Sequence, residues 1–384
     1  MTPAACGPCL RRLHLVGILA PYIEKVATGE LGSRSSELLR LDDEGLARAV
    51  SGRKGPTLRE QAQAVDLDRL RTAIDGCGCW AVCRHDGGWP PGLRHAPDAP
   101  PALIGRGDPA LLAKLEVEDG VTVVGARRAT AYGREAARSL ALDLAGMGFT
   151  VISGLALGID AAAHRGALEA TERGGEGITV AVLGCGADVP YPRHHHRLHE
   201  RIGAQGLVLS ELPPGMTPWR LAFPARNRVM AALASMTVVV EAARRSGSLI
   251  TAELSADLGR EVGAVPGPIA ARMSAGTNQL LADGAILVRD AQDVIDALFG
   301  PQGRTVERSG PALELAVELV LDQVEAGRTD VDSIALAAGR SARDVSSALV
   351  ELESLGYVQG SFAGTYRRLA LDRPEGGPAP PPDP

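Results

Sequence analysis

The chain has 384 residues, 45% hydrophobic and 22% charged, with a formal net charge of −6. Its length suits two or three domains with real cores, and its ordinary charged fraction excludes a collagen-like or wholly disordered chain despite 46 glycines and 26 prolines. No apolar run reaches the roughly 18 residues a spanning helix needs, which excludes an integral membrane protein.

The run from Leu13 to Ile23 behind Arg11 and Arg12 has the outline of a signal peptide, but Pro21 interrupts it and Glu24 and Lys25 end it. A cytoplasmic location is expected. Leu38, Leu39, Leu41, Leu46 and Val50 recur at roughly helical spacing between Gly/Ser breaks, so the first 75 residues read as short helices and 1–80 as a small helical domain. Six scattered cysteines are too few to staple a chain this size, in keeping with a reducing compartment. Cys6 and Cys9 form a C-x-x-C and Cys77, Cys79 and Cys83 a looser group, so a composite zinc site is conceivable. The second group lacks the usual ligand spacing, and neither a metal nor a cofactor is expected. Residues 80–120 hold the Pro-rich run WPPGLRHAPDAPPALIGRGDP, which reads as a long ordered connection into the core.

From 120 the pattern becomes short apolar runs that each end in glycine or a polar turn and lead into a helical stretch. They are GVTVVGAR (120–127), FTVISGLA (149–156), ITVAVLGCG (178–186), GLVLSELP (206–213), TVVVEAA (237–243), EVGAVPG (261–267) and AILVRD (285–290). Apolar runs without alternation are strands buried on both faces, and their alternation with helices predicts an α/β doubly wound, mainly parallel sheet. Its strand-to-helix turns share one edge, where ligands bind.

Four turns on that edge present arginine or hydroxyl groups, three of them with glycine. GARRATAYG (125–133) supplies Gly125, Arg127, Arg128 and Thr130 beside helix-start N–H groups, an anion-binding arrangement. SGLALGID (153–160) adds Ser153 and Gly154, CGADVPYPRHHHRL (185–198) adds Tyr191 and Arg193, and FPARNR (223–228) adds Phe223, Arg226, Asn227 and Arg228. SGSLITAE (246–253) completes the rim with Ser246, Gly247 and Ser248. After Lys114 every fixed positive charge is an arginine, so anion sites there use planar, bidentate donors. Residues 121–300 balance 17 basic against 17 acidic side chains, so nucleic-acid binding would rest on local arginine clustering. The first turn lacks G-x-G-x-x-G, and no G-K-[ST] occurs, which argues against nicotinamide hydride transfer and ATP hydrolysis. Tyr132, Tyr191, Trp219 and Phe223 fall at or beside the edge, where aromatic faces could stack bases; Trp219 is divided between that role and core filling. Asp160 and His164 are either an acid–base pair or a helix-start contact, and the His194–His196 run with His199 reads as a solvated helix face.

Residues 301–310 read as a polar linker, 311–370 as three helices with a two-stranded ribbon, a winged helix-turn-helix, and 371–384 as a disordered Pro/Gly-rich tail. The winged helix carries five basic against nine acidic side chains, with Arg343 offset by Asp344, Glu351 and Glu353 on its recognition helix. That field opposes duplex binding and predicts a protein-contact or weakly DNA-touching role, with Arg367 and Arg368 as the phosphate contacts.

In order, GARRATAYG, SGLALGIDAAAH, AVLGCGADVPYP, LSELPPGMTP, FPARNR, VVVEAARRSGSLITA and AVPGPI resemble the DNA-processing protein A family, DprA or Smf, closely over about residues 100–300. The resemblance implies a Rossmann-like core over 81–300 with SAM-like and winged-helix accessory domains. It also implies single-stranded DNA binding, dimerisation through the core, and help in loading the RecA recombinase during natural transformation. Arg127, Arg226, Asn227 and Arg228 take the places of the family's binding residues, with Ser153, Gly154, Ser246, Gly247 and Ser248 lining the same pocket. Ala126, His195 and Ala232 depart from the family's usual serine, asparagine and glycine. The competing reading is a nucleotide phosphoribohydrolase of the lysine-decarboxylase-like group with Glu253 as its acid, although SGSLIT lacks that group's double glycine.

Overall fold

The computed structural model describes residues 4–27, 35–94, 96–300, 313–361 and 364–368. The chain forms two compact units, residues 1–304 and 305–384. The expected linker over 301–310 and the expected tail over 371–384 lie outside the described residues.

The first unit opens with α1 (Gly7–Ala27), α2 (Ser35–Arg40), α3 (Asp43–Ser51), α4 (Gly55–Gln63) and α5 (Leu67–Gly76). The opening helix is not short: α1 runs 21 residues with Pro21 inside it. Its Leu15, Val16, Leu19 and Ile23 pack with Leu46, Ala47 and Val50 of α3 and with Leu212 and Leu221 from the core, so the leading helices and the core share one apolar surface. Asp42 and Asp66 cap α3 and α5 by accepting from the first N–H groups of each helix.

The stretch expected to be a connection contributes two strands and a short helix instead: β1 (Trp80–Cys83), α6 (Pro91–Arg94) and β2 (Ala102–Arg106). Both strands lie in or beside Cys- and Pro-rich sequence and lack the following helical stretch that marks the seven later runs. Trp80 lies opposite Gly105 in the β1–β2 ladder. A Cβ on Gly105 would stand 2.1 Å from the indole, so only glycine leaves room for that ring.

All seven expected strands are present: β3 (Gly120–Val124), β4 (Thr150–Ser153), β5 (Thr179–Leu183), β6 (Leu207–Ser210), β7 (Met236–Val239), β8 (Glu261–Ala264) and β9 (Ile286–Leu287). The helices between and after them are α7 (Ala131–Gly146), α8 (Ile159–Glu172), α9 (His196–Gln205), α10 (Ala222–Ala232), α11 (Gly247–Asp257), α12 (Ala275–Ala282) and α13 (Ala291–Phe299). The sheet order is β1-β2-β6-β5-β4-β3-β7-β8-β9, parallel from β6 through β9 and antiparallel at β1 and β2. Strand order reverses between β3 and β7, which opens a crevice beyond their carboxyl ends, the usual ligand position in a Rossmann-like sheet. Among the described residues no helix is long and apolar enough to cross a membrane.

Helix α8 packs on α7 through small residues: Ala163, Gly166, Ala167 and Ala170 are all buried. The helices approach closely at Gly166, where an added Cβ would lie 2.0 Å from the Arg138 carbonyl oxygen.

The second unit holds α14 (Leu315–Glu325), α15 (Val331–Ala338), α16 (Ala342–Ser354) and the antiparallel pair β10 (Val358–Gly360) and β11 (Tyr366–Arg368). Its core joins Val320, Leu321, Ile334, Leu349, Leu352 and Tyr357. Gly339 ends α15 in the left-handed conformation, φ 63°, which permits the sharp turn into α16.

Gly166→Ala is expected to lower stability by about 1–3 kcal/mol through overpacking, although alanine is the better helix former. Urea unfolding followed by circular dichroism checks this, and a stabilised variant would show that the α7–α8 contact yields easily.

Candidate functional site

A cavity of about 520 Å³ lies beyond the end of β3, and its lining includes Val124, Gly125, Arg127, Asp160, Tyr191, Trp219, Arg220, Phe223, Arg226, Asn227, Gly247, Ser248 and Thr251. Eight of the fifteen residues singled out from the sequence therefore meet in one crevice: Gly125, Arg127, Tyr191, Phe223, Arg226, Asn227, Gly247 and Ser248. Gly125 has to be glycine, because a Cβ there would stand 2.6 Å from Ile159 and 2.8 Å from the Glu241 carbonyl oxygen.

The five rim arginines divide by depth. Arg226 and Arg228 lie on α10, a helix buried on all sides from Ala225 to Ala232, so both must find partners inside the protein. Arg226 Nη1 donates 2.7 Å to the Gly154 carbonyl and also to the Val182 carbonyl, and Nε donates 3.0 Å to Asn227 Oδ1. Asp160, which accepts from the N–H groups of Gly154 (3.2 Å) and Ala156 (3.3 Å), offsets its charge. Burial pushes the Asp160 carboxyl above its ordinary range, while Arg226 and the two N–H donors pull it back. Burial also lowers the Arg226 pKa, but a guanidinium keeps its charge at neutral pH. Arg228 points elsewhere and forms a buried ion pair with Glu211, with Asp98 Oδ2 3.7 Å from Nε.

Of the five rim arginines, Arg127 is the one that is exposed and lines the cavity, its guanidinium 5.2 Å above the Phe223 ring centroid. Tyr191 lies beside Phe223 with ring centroids 5.6 Å apart, so a cation and two aromatic faces form one platform at the mouth. Arg128 and Arg193 are exposed but do not line the cavity.

The predicted hydroxyl donors are mostly committed to structure. Ser153 is fully buried and donates 2.6 Å to the Val123 carbonyl, and the Gly154 N–H serves Asp160. Gly154 is needed because a Cβ there would lie 2.2 Å from the Arg226 guanidinium. Thr130 caps α7, accepting from the Gly133 N–H at 3.1 Å and donating through Oγ1 to Glu241 at 2.5 Å. Ser246 caps α11 and bonds Ser248 Oγ at 2.7 Å. Asn227 Nδ2 reaches the Gly247 carbonyl at 3.5 Å. Of the family departures, Ala126 and Ala232 are buried, and His195 is buried with Nδ1 3.0 Å from the Leu155 carbonyl.

Asp160 and His164 form no acid–base pair. His164 is fully buried with Nδ1 2.7 Å from Thr179 Oγ1, and burial lowers its pKa to about 3. His199 Nε2 serves the Ala187 carbonyl at 2.9 Å and His196 lies 3.5 Å from Glu200, so the histidine run divides among separate partners. Sequence reasoning missed Arg220, an exposed arginine that also lines the cavity, and Thr251, whose buried Oγ1 lacks a hydrogen-bond partner among the described residues. Arginine at 220 follows Pro218-Trp219 outside any glycine-rich turn, and the hydroxyl at 251 sits mid-helix, so neither matched an anion-loop pattern.

This site and sheet define a Rossmann-like protein with an arginine–aromatic crevice at its topological switch point. Residues 80–299 match the family described as DNA recombination-mediator protein A, and the chain belongs to that DprA/Smf family. A DNA processing protein DprA of Mycobacterium tuberculosis is 44% identical over 243 residues, 62% of this chain but only 61% of that relative's length. Protein Smf of Escherichia coli is 36% identical over 331 residues, covering 82% of this chain and 85% of that protein. The X-ray structure of DNA processing protein A from Streptococcus pneumoniae superimposes with a TM-score of 0.59 at 32% identity, over 78% of this chain and 97% of that one.

Burial sets two stability predictions. Arg228→Ala strands the buried Glu211 and Asp98 carboxylates and is expected to cost about 3–5 kcal/mol, whereas Arg127→Ala, at an exposed position, should change stability by no more than about 0.5 kcal/mol. Parallel urea titrations check the contrast. His164 is neutral when folded and takes up a proton on unfolding below its ordinary value of 6.5, so its stabilising contribution is complete above that pH and declines as pH falls toward about 3. Unfolding midpoints across this range should drop less steeply for His164→Asn than for the unmodified chain.

Proposed function

We propose that the crevice holds single-stranded DNA and that the protein acts without catalysis, as a recombination mediator. The observation that carries this reading is exposed Arg127 over the half-buried Phe223 ring, with exposed Tyr191 alongside. A cation for phosphate beside faces for bases is the combination that holds single strands with little sequence reading. Arg220 in the cavity lining, the N–H groups at the start of α11 and the Thr251 hydroxyl, unpartnered among the described residues, supply further donors to a phosphate. Buried Arg226, its charge offset by Asp160, fixes the floor of the crevice. Family membership supports the rest of the reading: protection of incoming DNA, loading of RecA in natural transformation, and dimerisation through the core.

The hydrolase alternative loses its proposed acid. Glu253 is exposed and lines a separate groove with Arg244, Gln279 and Asp283, away from the Arg127 crevice. The second unit, read as a winged helix, is assigned to protein contact. Arg368 donates 2.8 Å to Glu325 and lies over the Tyr357 ring, which leaves it committed within its own unit. Leu336 on α15 is 87% exposed, and Val350 on α16 is also exposed. The Arg367 side chain lies outside the described ones.

Fluorescence anisotropy with labelled oligo(dT) and an equal-length duplex, at several salt concentrations, tests the proposal. Single-strand preference is expected, with Arg127→Glu weakening binding at least tenfold and reducing the log–log salt slope by about 1, while Arg343→Ala leaves it unchanged. Affinity unaffected by Arg127→Glu would remove the crevice from DNA binding and favour a small phosphorylated ligand.

A further inference from the structure

Far from the crevice, at the start of the chain, four ligand-type side chains converge. Cys6 precedes α1 and Cys9 lies in its first turn, while Cys83 ends β1 and His85 sits in the turn just after it. Their ligand atoms all lie within 4.8 Å of one another. His85 Nδ1 is 3.4 Å from Cys6 Sγ, 3.4 Å from Cys9 Sγ and 3.9 Å from Cys83 Sγ. Tetrahedral zinc, with bonds of about 2.3 Å to sulfur and about 2.0 Å to nitrogen, places sulfur and nitrogen ligands about 3.5 Å apart. The protein distances bracket that value.

We propose that Cys6, Cys9, Cys83 and His85 form a structural Zn²⁺ site that clamps the start of α1 to the edge strand β1. One imidazole nitrogen offers a single lone pair and can accept one thiol proton, so hydrogen bonding alone gives no reason for three sulfurs to gather round it. A single cation among them does. Four protein ligands close the tetrahedron and leave no position for substrate, which makes the site structural. Three sulfurs and one imidazole select a soft or borderline ion, and a spread below 4.8 Å suits one ion in place of a cluster. Binding converts three thiols to thiolates and releases their protons to solvent.

The surroundings fit this role. Cys9 and Cys83 are buried, and the Cys6 backbone N–H donates 3.4 Å to Cys83 Sγ, the outer-shell contact a bound thiolate requires. The first turn of α1 turns its positive end toward the sulfurs. Both ligand pairs sit on held backbone: the Asp86 N–H donates 2.8 Å to the Cys83 carbonyl, the Ala4 N–H donates 3.1 Å to Asp86 Oδ2, and Ala4 bridges Ala81 in parallel. Of Cys77, Cys79 and Cys83, the partners the sequence suggested, only Cys83 takes part, because the thiols of Cys77 and Cys79 face the carbonyls of Ile74 (3.1 Å) and Cys77 (3.9 Å). The true second pair is the Cys83-x-His85 knuckle, whose histidine only the tertiary contact brings forward.

The test uses the full chain purified under reducing conditions, loaded with excess Zn²⁺ and desalted, with metal measured by mass spectrometry. One Zn²⁺ per chain is expected, retained in the Cys77→Ser/Cys79→Ser double variant and lost in Cys83→Ser and His85→Ala. Cobalt substitution of the unmodified protein reports the donor set independently of how the variants fold. Visible bands of a tetrahedral ion with thiolate charge transfer are expected, together with three thiols that a disulfide reagent reaches only after chelation. A chain that retains no zinc, an octahedral cobalt spectrum, or a Cys6–Cys9 disulfide that persists under these conditions would overturn the proposal.

Discussion

The buried guanidinium of Arg226 is the constraint on which the rest of the crevice depends. From α10 it reaches the carbonyls of Gly154 beyond β4 and Val182 in β5, and it faces Asp160 in the first turn of α8. One planar cation thus ties together the carboxyl ends of two neighbouring strands through their carbonyls. The ionic cost of burying it is offset by those carbonyls, by Asn227 and by Asp160 together. Gly154 is the steric condition for the arrangement, since any side chain there would occupy the space of the guanidinium.

With Arg226 fixed, the neighbouring charges sort by depth. Arg228, two residues on, turns to the opposite side of α10 and pairs with Glu211 just after β6, so it braces the sheet. Glu241, just after β7, takes up the Thr130 N–H and hydroxyl and so anchors the start of α7. These internal pairings leave Arg127 outward, where it lies over Phe223. A rim that reads as five equivalent arginines is therefore one outward cation at the cavity mouth, two exposed neighbours beside it, and two internal fasteners.

The remaining wall of the crevice leans on the leading helices. Gly17 of α1 lets Pro213 approach, since a Cβ there would stand 2.9 Å from the proline ring, and Glu24 of α1 accepts from the Arg220 N–H at 3.2 Å. The position of α1 therefore sets where Trp219 and Arg220 stand. The proposed metal clamp fixes the other end of that helix against β1, which connects a site at the chain's start to the geometry of a wall more than 200 residues later.

The sequence by itself determined the doubly wound sheet, because seven uninterrupted apolar runs alternating with helices can bury both faces only in a parallel sheet covered on each side. It also determined which turns meet at the crevice, since parallel topology puts every strand-to-helix turn on one edge. Only the tertiary structure decided what each residue there does: periodicity carries no information on depth, so Ser153, Thr130 and Arg228 looked like donors to a ligand and are committed to the protein's own carbonyl and carboxylate groups. The same holds at the N-terminus. Cys6, Cys9 and Cys83 stood out in the sequence, but Cys83 was grouped with Cys77 and Cys79, and His85 joins the set only through the tertiary placement of the β1 edge strand.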